Sequence, residues 1–424
     1  MDHKEILDLR SKHLGSSLSV SYDDPLHIVR GEGQYLFDAK GNRYLDCVNN
    51  IQHVGHCHPK IVEAAEQQYK KLNTNTRYLD ETIVKYAKNI TSTLPDGLDV
   101  CFFTNSGSEA NDLALRLVRQ FTGDKATIVL DGAYHGHLSS LIEISPYKHN
   151  GPGGNGSPNF VYTLPMPDSF RGKYRGVDCG EKYVQEMQTT INEIESKGKK
   201  VSTFIAEALM GCGGQLILPK GFLKEAFDLV RSANGVCIAD EIQIGFGRVG
   251  SHFWGFETEG VVPDIVTMGK SMGNGHPLSA VVTTREIADS FNNGMEYFNS
   301  FGGNAVSCAV GQAVLDVIKE EGLQENAWEV GSYLLNQLKN LQNHHDLIGE
   351  VRGKGLFIGI ELVKDDLVPA DAEAQTIVNQ MKNIGFLLST DGPNHNIIKI
   401  KPPLVFNKKN ADELVEKIDE RISK

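Results

Sequence analysis

Four short stretches of this chain set reactive side chains beside tight turns. Thr104-Asn105-Ser106-Gly107-Ser108-Glu109-Ala110 places a hydroxyl three residues before a carboxylate, the pattern of a capping box that opens a helix. Backbone N–H groups around Gly107 and Ser108 would then face outward at a positive helix end and cradle a phosphate. Tyr134-His135-Gly136 follows the run ATIVLDGA, so the Tyr134 ring stands at a strand end, where ligands of α/β sheets sit and a flat molecule can stack. Asp240-Glu241-Ile242-Gln243 closes the apolar run GVCIA. A carboxylate buried there needs a partner, and a protonated ring nitrogen would serve. Lys270 comes just after DIVTM and before Ser-Met-Gly-Asn-Gly, a setting in which an amine's pKa can fall and the group be held as a Schiff base. Each stretch also has an ordinary reading: a helix cap, a surface tyrosine, a salt-bridged carboxylate, a solvated lysine. Together they supply a phosphate site, a stacking ring, a ring-nitrogen carboxylate and an amine, the set that pyridoxal phosphate requires.

Three other patterns lead nowhere. Gly245, Gly247 and Gly250 spell GxGxxG, but SHFWGF follows where a dinucleotide fingerprint needs a helix. Gly269-Lys270-Ser271 resembles the end of a P-loop, but Asp264 stands where that loop needs its first glycine. His53, His56, Cys57 and His58 crowd together. Neighbours so close do not easily close on one tetrahedral metal, so a structural turn is the better reading, and no metal site is expected.

The elements that must hold these residues alternate. ATIVL at 126–130, TFIAE at 203–207, GVCIADE at 235–241, DIVTM at 264–268 and LSAVVT at 278–283 read as strands, several of them apolar throughout, as strands buried on both faces are. Between them lie helical patterns. In 109–121, Leu113, Leu117, Val118 and Phe121 share one face. That alternation predicts an α/β core. Beyond about residue 305 come helices at 305–321, 372–384 and 410–422, a short β element beginning at Asp346 and a strand at 397–401, read as a smaller α+β domain. QYLFDAKGNRYLD near the start reads as a hairpin, and the Gly/Pro-rich stretch 149–159 as a surface loop.

The chain's 424 residues hold 54 acidic and 42 basic side chains, a net charge of −12, a poor balance for a nucleic-acid partner. No apolar run reaches membrane-spanning length. The charged N-terminus lacks a signal-peptide core, and the seven cysteines are scattered without a CxxC pair; a reduced, cytoplasmic protein is expected.

Seven ordered blocks carry a resemblance over nearly the whole chain: YLDCVNNIQHVGHCHPKIVEA, FFTNSGSEANDLALRL, YHGH, IADEIQIGFGRVG, DIVTMGKSMGNGHPLSAV, SFGGNAVSCAVG and VRGKGLFIGIEL. They resemble the class III, fold-type I, pyridoxal-phosphate enzymes. The resemblance implies a large domain at 51–305 with a mostly parallel seven-stranded sheet, an α+β C-terminal domain at 306–424, and an N-terminal segment, 1–50, belonging to the smaller one. It implies that Lys270 forms the Schiff base with the cofactor and that Asp240 pairs with the pyridine nitrogen. Gln243 would touch the ring hydroxyl and Tyr134 stack on the ring. Gly107 and Ser108 would hold the phosphate. His135 belongs to the cofactor-binding set, and Glu207 supports it. Ser300, before FGGN, would reach the phosphate of a neighbouring subunit's cofactor, which implies an obligate homodimer, alone or paired into a tetramer.

Most such enzymes are aminotransferases. Many that use an α-keto acid carry an Arg three residues before a PPL motif and a Glu that pairs with it. Here those positions are Lys399 and Cys212, and lysine lacks the fork that grips a carboxylate in bidentate fashion. The stretches YHGHLSSLIEISPYK, CGGQLILP, GMEYFNSFGGN and KIKPPLVF are more similar to the phospho-lyases that act on O-phosphoethanolamine and 5-phosphohydroxylysine. That resemblance implies elimination of phosphate from an amino-alcohol phosphate, with class III transamination as the alternative. A second phosphate would need cations near the leaving group. Lys399, Lys401, Arg171, Lys173 and Arg175 are the candidates.

Overall fold

A computed structural model describes residues 1–423. Its centre is a seven-stranded sheet. In chain order the strands are β1 (Val100–Thr104), β2 (Ala126–Leu130), β3 (Val161–Leu164), β4 (Val201–Ala206), β5 (Val236–Asp240), β6 (Ile265–Met268) and β7 (Ser279–Thr283). They lie side by side as β1-β7-β6-β5-β4-β2-β3. All neighbouring pairs are parallel except those of β7, which runs antiparallel to both β1 and β6. The apolar runs are explained by burial on both faces. Val129, Ile205, Ile238, Ile265 and Val281 pack with Leu113 and Leu117 of the Gly107–Thr122 helix on one side. Their neighbours Ile128, Phe204, Cys237, Val266 and Val282 enter the larger core on the other.

The five expected strands are present, with ends that match or shift by at most two residues. The edge strands β1 and β3 were not anticipated. Both are short; β1 runs into the helix-start pattern at 104–110, and β3 follows the Gly/Pro-rich loop at 149–159. The segment from Asp346 is more than one short β element. It folds as a hairpin, Ile348–Lys354 against Phe357–Leu362, and Ile397–Ile400 and Ser389–Asp391 extend it to four strands. The N-terminal hairpin pairs Tyr35–Asp38 with Arg43–Asp46, and the Asp38 carboxylate accepts the N–H groups of Lys40 and Asn42 in the turn. Phe386–Leu387 then joins this sheet parallel to Arg43–Asp46, tying the chain's two ends together. No helix among the described residues is long and apolar enough to cross a membrane.

Candidate active site

A cavity of about 180 Å³ opens at the C-terminal ends of β2, β4, β5 and β6, against the N-terminus of the Gly107–Thr122 helix. Gly107, Ser108, Tyr134, His135, Glu207, Asp240, Gln243 and Lys270 all line it. Sequence-distant turns converge there because each parallel strand delivers its next residue to the same sheet edge.

The helix start explains the first wall. Ser106 is extended, and its Oγ accepts the Glu109 N–H at 3.2 Å. The reciprocal half of the expected capping box is shifted by one residue: the Glu109 carboxylate takes the Asn105 N–H, with Asn299 Nδ2 as a further donor. Gly107 lets the chain pass close, since a Cβ there would sit 2.6 Å from Ile242 Cδ1. Gly136, at φ +139°, does the same on the facing turn, where a Cβ would meet Ser108 Oγ at 2.6 Å. Ser108 Oγ in turn lies 2.9 Å from His137 Nδ1 and accepts the His137 N–H. His137 therefore belongs to this wall. Only its place in the YHGH run drew attention to it.

Asp240 forms the floor. It is buried at 3 % exposure. Its Oδ2 accepts from Asn111 Nδ2 and meets His135 Nδ1, both at 2.8 Å, and its Oδ1 takes the Ile242 N–H. His135 thus acts through the carboxylate. Asn111, which also donates to the His135 carbonyl, was missed, because one Asn inside a helix carries no signal of its own. Tyr134 is half-buried and meets Tyr147 edge-on at 6.4 Å; burial raises its phenol pKa.

Lys270 follows β6 through an extended Gly269 and adopts φ +37°. A side-chain-bearing residue in the left-handed region is strained, and such strain collects at functional sites. Glu207 is buried, with Oε1 accepting the Gly211 N–H and Oε2 unpartnered. Burial, reinforced by nearby Asp240, pushes its pKa up to about 8. Gln243 Oε1 accepts from Lys401 Nζ at 3.0 Å and Asn50 Nδ2 at 3.2 Å, and its Nε2 faces Glu207.

The five phosphate candidates part ways. Lys399 pairs with Asp391 at 3.3 Å. Lys401 is fully buried, and burial lowers its pKa to about 7. Arg171 is bound to Glu361, which Arg352 also holds. Lys173 pairs with Glu186 on the surface, and exposed Arg175 reaches the Gly172 carbonyl. None of the five lines the cavity. Ser300 is exposed and also lies away from it. Cys212 stands near Asp391 and Glu207; burial and these carboxylates push its thiol up to about 12. The crowded histidines have separate partners: His53 the Phe246 carbonyl, His56 Asp46 and His58 Glu321.

Pyridoxal phosphate fits this donor set. A glycine-lined helix start suits its phosphate, Asp240 its ring nitrogen, and Lys270 its aldehyde. The chain belongs to the class-III aminotransferase family, whose model matches residues 18–422, and pyridoxal phosphate is its cofactor. It is 52% identical over 421 residues to an alanine–glyoxylate aminotransferase 2-like protein of Drosophila melanogaster, covering 97% of this chain and 85% of that one. It is 45% identical to an ethanolamine-phosphate phospho-lyase homologue of Caenorhabditis elegans, covering 98% and 93%. Among solved structures, a phospholyase from Arthrobacter in complex with phosphoethanolamine superposes with a TM-score of 0.94 at 39% identity, over 99% of both chains.

Proposed function

We propose that this class III enzyme is a phospho-lyase, converting O-phosphoethanolamine and water to acetaldehyde, ammonia and phosphate. The observation that carries the reading is the wall where keto-acid enzymes place their Arg–Glu pair. Here Lys399 stands against Asp391, and Cys212 replaces the Glu. A lysine acts as a point charge, suited to a phosphate more than to the planar grip on a carboxylate. The phospho-lyase homologue and the phosphoethanolamine complex support the same substrate.

Pyridoxal phosphate, when bound, accepts the electron pair left on the amine-bearing carbon after a proton is removed. Lys270 Nζ takes that proton. Asp240, oriented by His135 and Asn111, keeps a proton on the ring nitrogen. Phosphate then leaves from the carbon adjacent to the amine-bearing one, and water hydrolyses the resulting enamine to acetaldehyde and ammonia. Exposed Ser300 is free to serve the phosphate site of a second copy, and a homodimer is part of this reading.

Transamination is the second reading, favoured by the 52% identity to the alanine–glyoxylate aminotransferase 2-like protein. Cofactor-loaded protein incubated with O-phosphoethanolamine and no keto acid separates the two. Repeated turnover releasing phosphate and acetaldehyde in equal amounts is expected. Turnover only with alanine and glyoxylate would overturn the proposal.

A further inference from the structure

Lys401 is the one of the five cation candidates that the fold buries completely, at 0 % exposure. Its backbone N–H binds the Cys47 carbonyl at 2.8 Å, and its stem leads the ammonium over the Phe357 ring at 4.6 Å. At its tip, Nζ donates to Gln243 Oε1 at 3.0 Å. Asn50 Nδ2 donates to the same oxygen from the N-terminal segment at 3.2 Å.

Those two donors decide which way the Gln243 amide points. With Lys401 protonated, an amide turned over would set its NH₂ against an ammonium and another NH₂, donor against donor, and leave buried groups unsatisfied. The backbone closes the remaining side: a Cβ at Gly211 would lie 2.3 Å from Gln243 Nε2. With Oε1 held, Nε2 is turned to Glu207 and the cavity that Gln243 lines. We propose that Lys401 is a positioning residue: it clamps Gln243 so that a hydrogen-bond donor, never an acceptor, faces the hydroxyl of the cofactor ring. The groups around its ammonium are Lys399, Asp391, Cys212 and Glu207. It stands too deep to be a ligand of the substrate's phosphate.

The inference holds for lyase and transaminase alike, because it concerns the cofactor and is read without substrate. A donor at the ring oxygen competes with the proton of the lysine–cofactor linkage for that oxygen. Losing the donor strengthens the linkage's hold on its proton. The pH midpoint of the bound cofactor's visible absorption change should therefore rise by about one unit in Gln243→Leu, a tenfold change in proton affinity. In Lys401→Met it should rise in the same direction by about half a unit or more.

Removing a positive charge would also raise that midpoint, so the double variant decides. If Lys401 acts through Gln243, adding Lys401→Met to Gln243→Leu moves the midpoint no further. Additive shifts, or no shift in Lys401→Met alone, would overturn the proposal. Lys401→Gln, neutral but still a donor, gives a second test should the methionine variant fail to fold. A midpoint close to that of the parent supports the clamp. A shift of a full unit, as from loss of charge, sinks it.

Discussion

The floor of the cavity and the C-terminal wall behind it, whose lysines and arginines do not line the cavity, are held in opposite ways. Asp240 is gripped by neighbours in the turns at the strand ends and on the helix packed against the sheet: His135, the Ile242 N–H and Asn111. The wall is assembled across the whole chain. Lys399 reaches Asp391, Lys401 reaches Gln243, 158 residues back, and Arg171 and Arg352 meet on Glu361. The floor serves what every reaction of the family needs. In the proposed reading, the wall is where one substrate is told from another.

Breaking the floor should therefore cost catalysis with any amine. Lys270→Ala has the largest expected effect, a loss of about three orders of magnitude or more in kcat. Stopped-flow turnover would check it, and full activity would end the assignment of Lys270. Asp240→Asn keeps the shape but not the charge and should lower kcat about 10²-fold or more. Lys399→Met sharpens the contrast from the other side. It should reduce kcat/KM for phosphoethanolamine about tenfold while the cofactor's absorption spectrum stays that of the parent. A spectrum altered as much as the rate would erase the distinction between wall and floor. Asn111→Leu removes one of two side-chain partners of Asp240, and a loss of about tenfold, near 1.4 kcal/mol, is expected in cofactor affinity or rate.

The smallest effect concerns Glu241, next to Asp240 but facing away, where it accepts the Gly255 and Phe256 N–H groups. Burial raises its pKa from 4.5 to about 8. Between those values the folded chain holds a proton the unfolded chain has released, so Glu241 contributes stability that is lost as pH rises through that window. Glu241→Gln should flatten this slope, seen as a smaller difference in melting temperature between pH 5 and pH 8.

Much of the cavity was legible because its signals are local. A strand end, a glycine and a functional side chain lie within a few residues at Gly107, Tyr134, Asp240 and Lys270. The wall was legible only as residue types. That Lys399 and Cys212 depart from the keto-acid pattern is visible in the sequence. That Lys401 turns inward to Gln243, while Arg171 is taken by Glu361, depends on pairings between strands and loops far apart in the chain. Asn111 and His137 escaped for a related reason: each matters through one partner, Asp240 or Ser108, that packing alone brings near. The shifted partner of Glu109 likewise follows from Asn299, which no helix-start pattern includes.

The backbone at Lys270 has a further consequence, for how such a site persists. A left-handed conformation at a residue other than glycine costs about 1 kcal/mol, and this φ of +37° belongs to the lysine on which the proposed reaction depends. Folding and chemistry therefore want different residues at this position. Lys270→Gly, inert as an enzyme, should give an apoprotein that withstands heat slightly better than Lys270→Ala. A lineage that lost the need for catalysis would be free to drift toward glycine there.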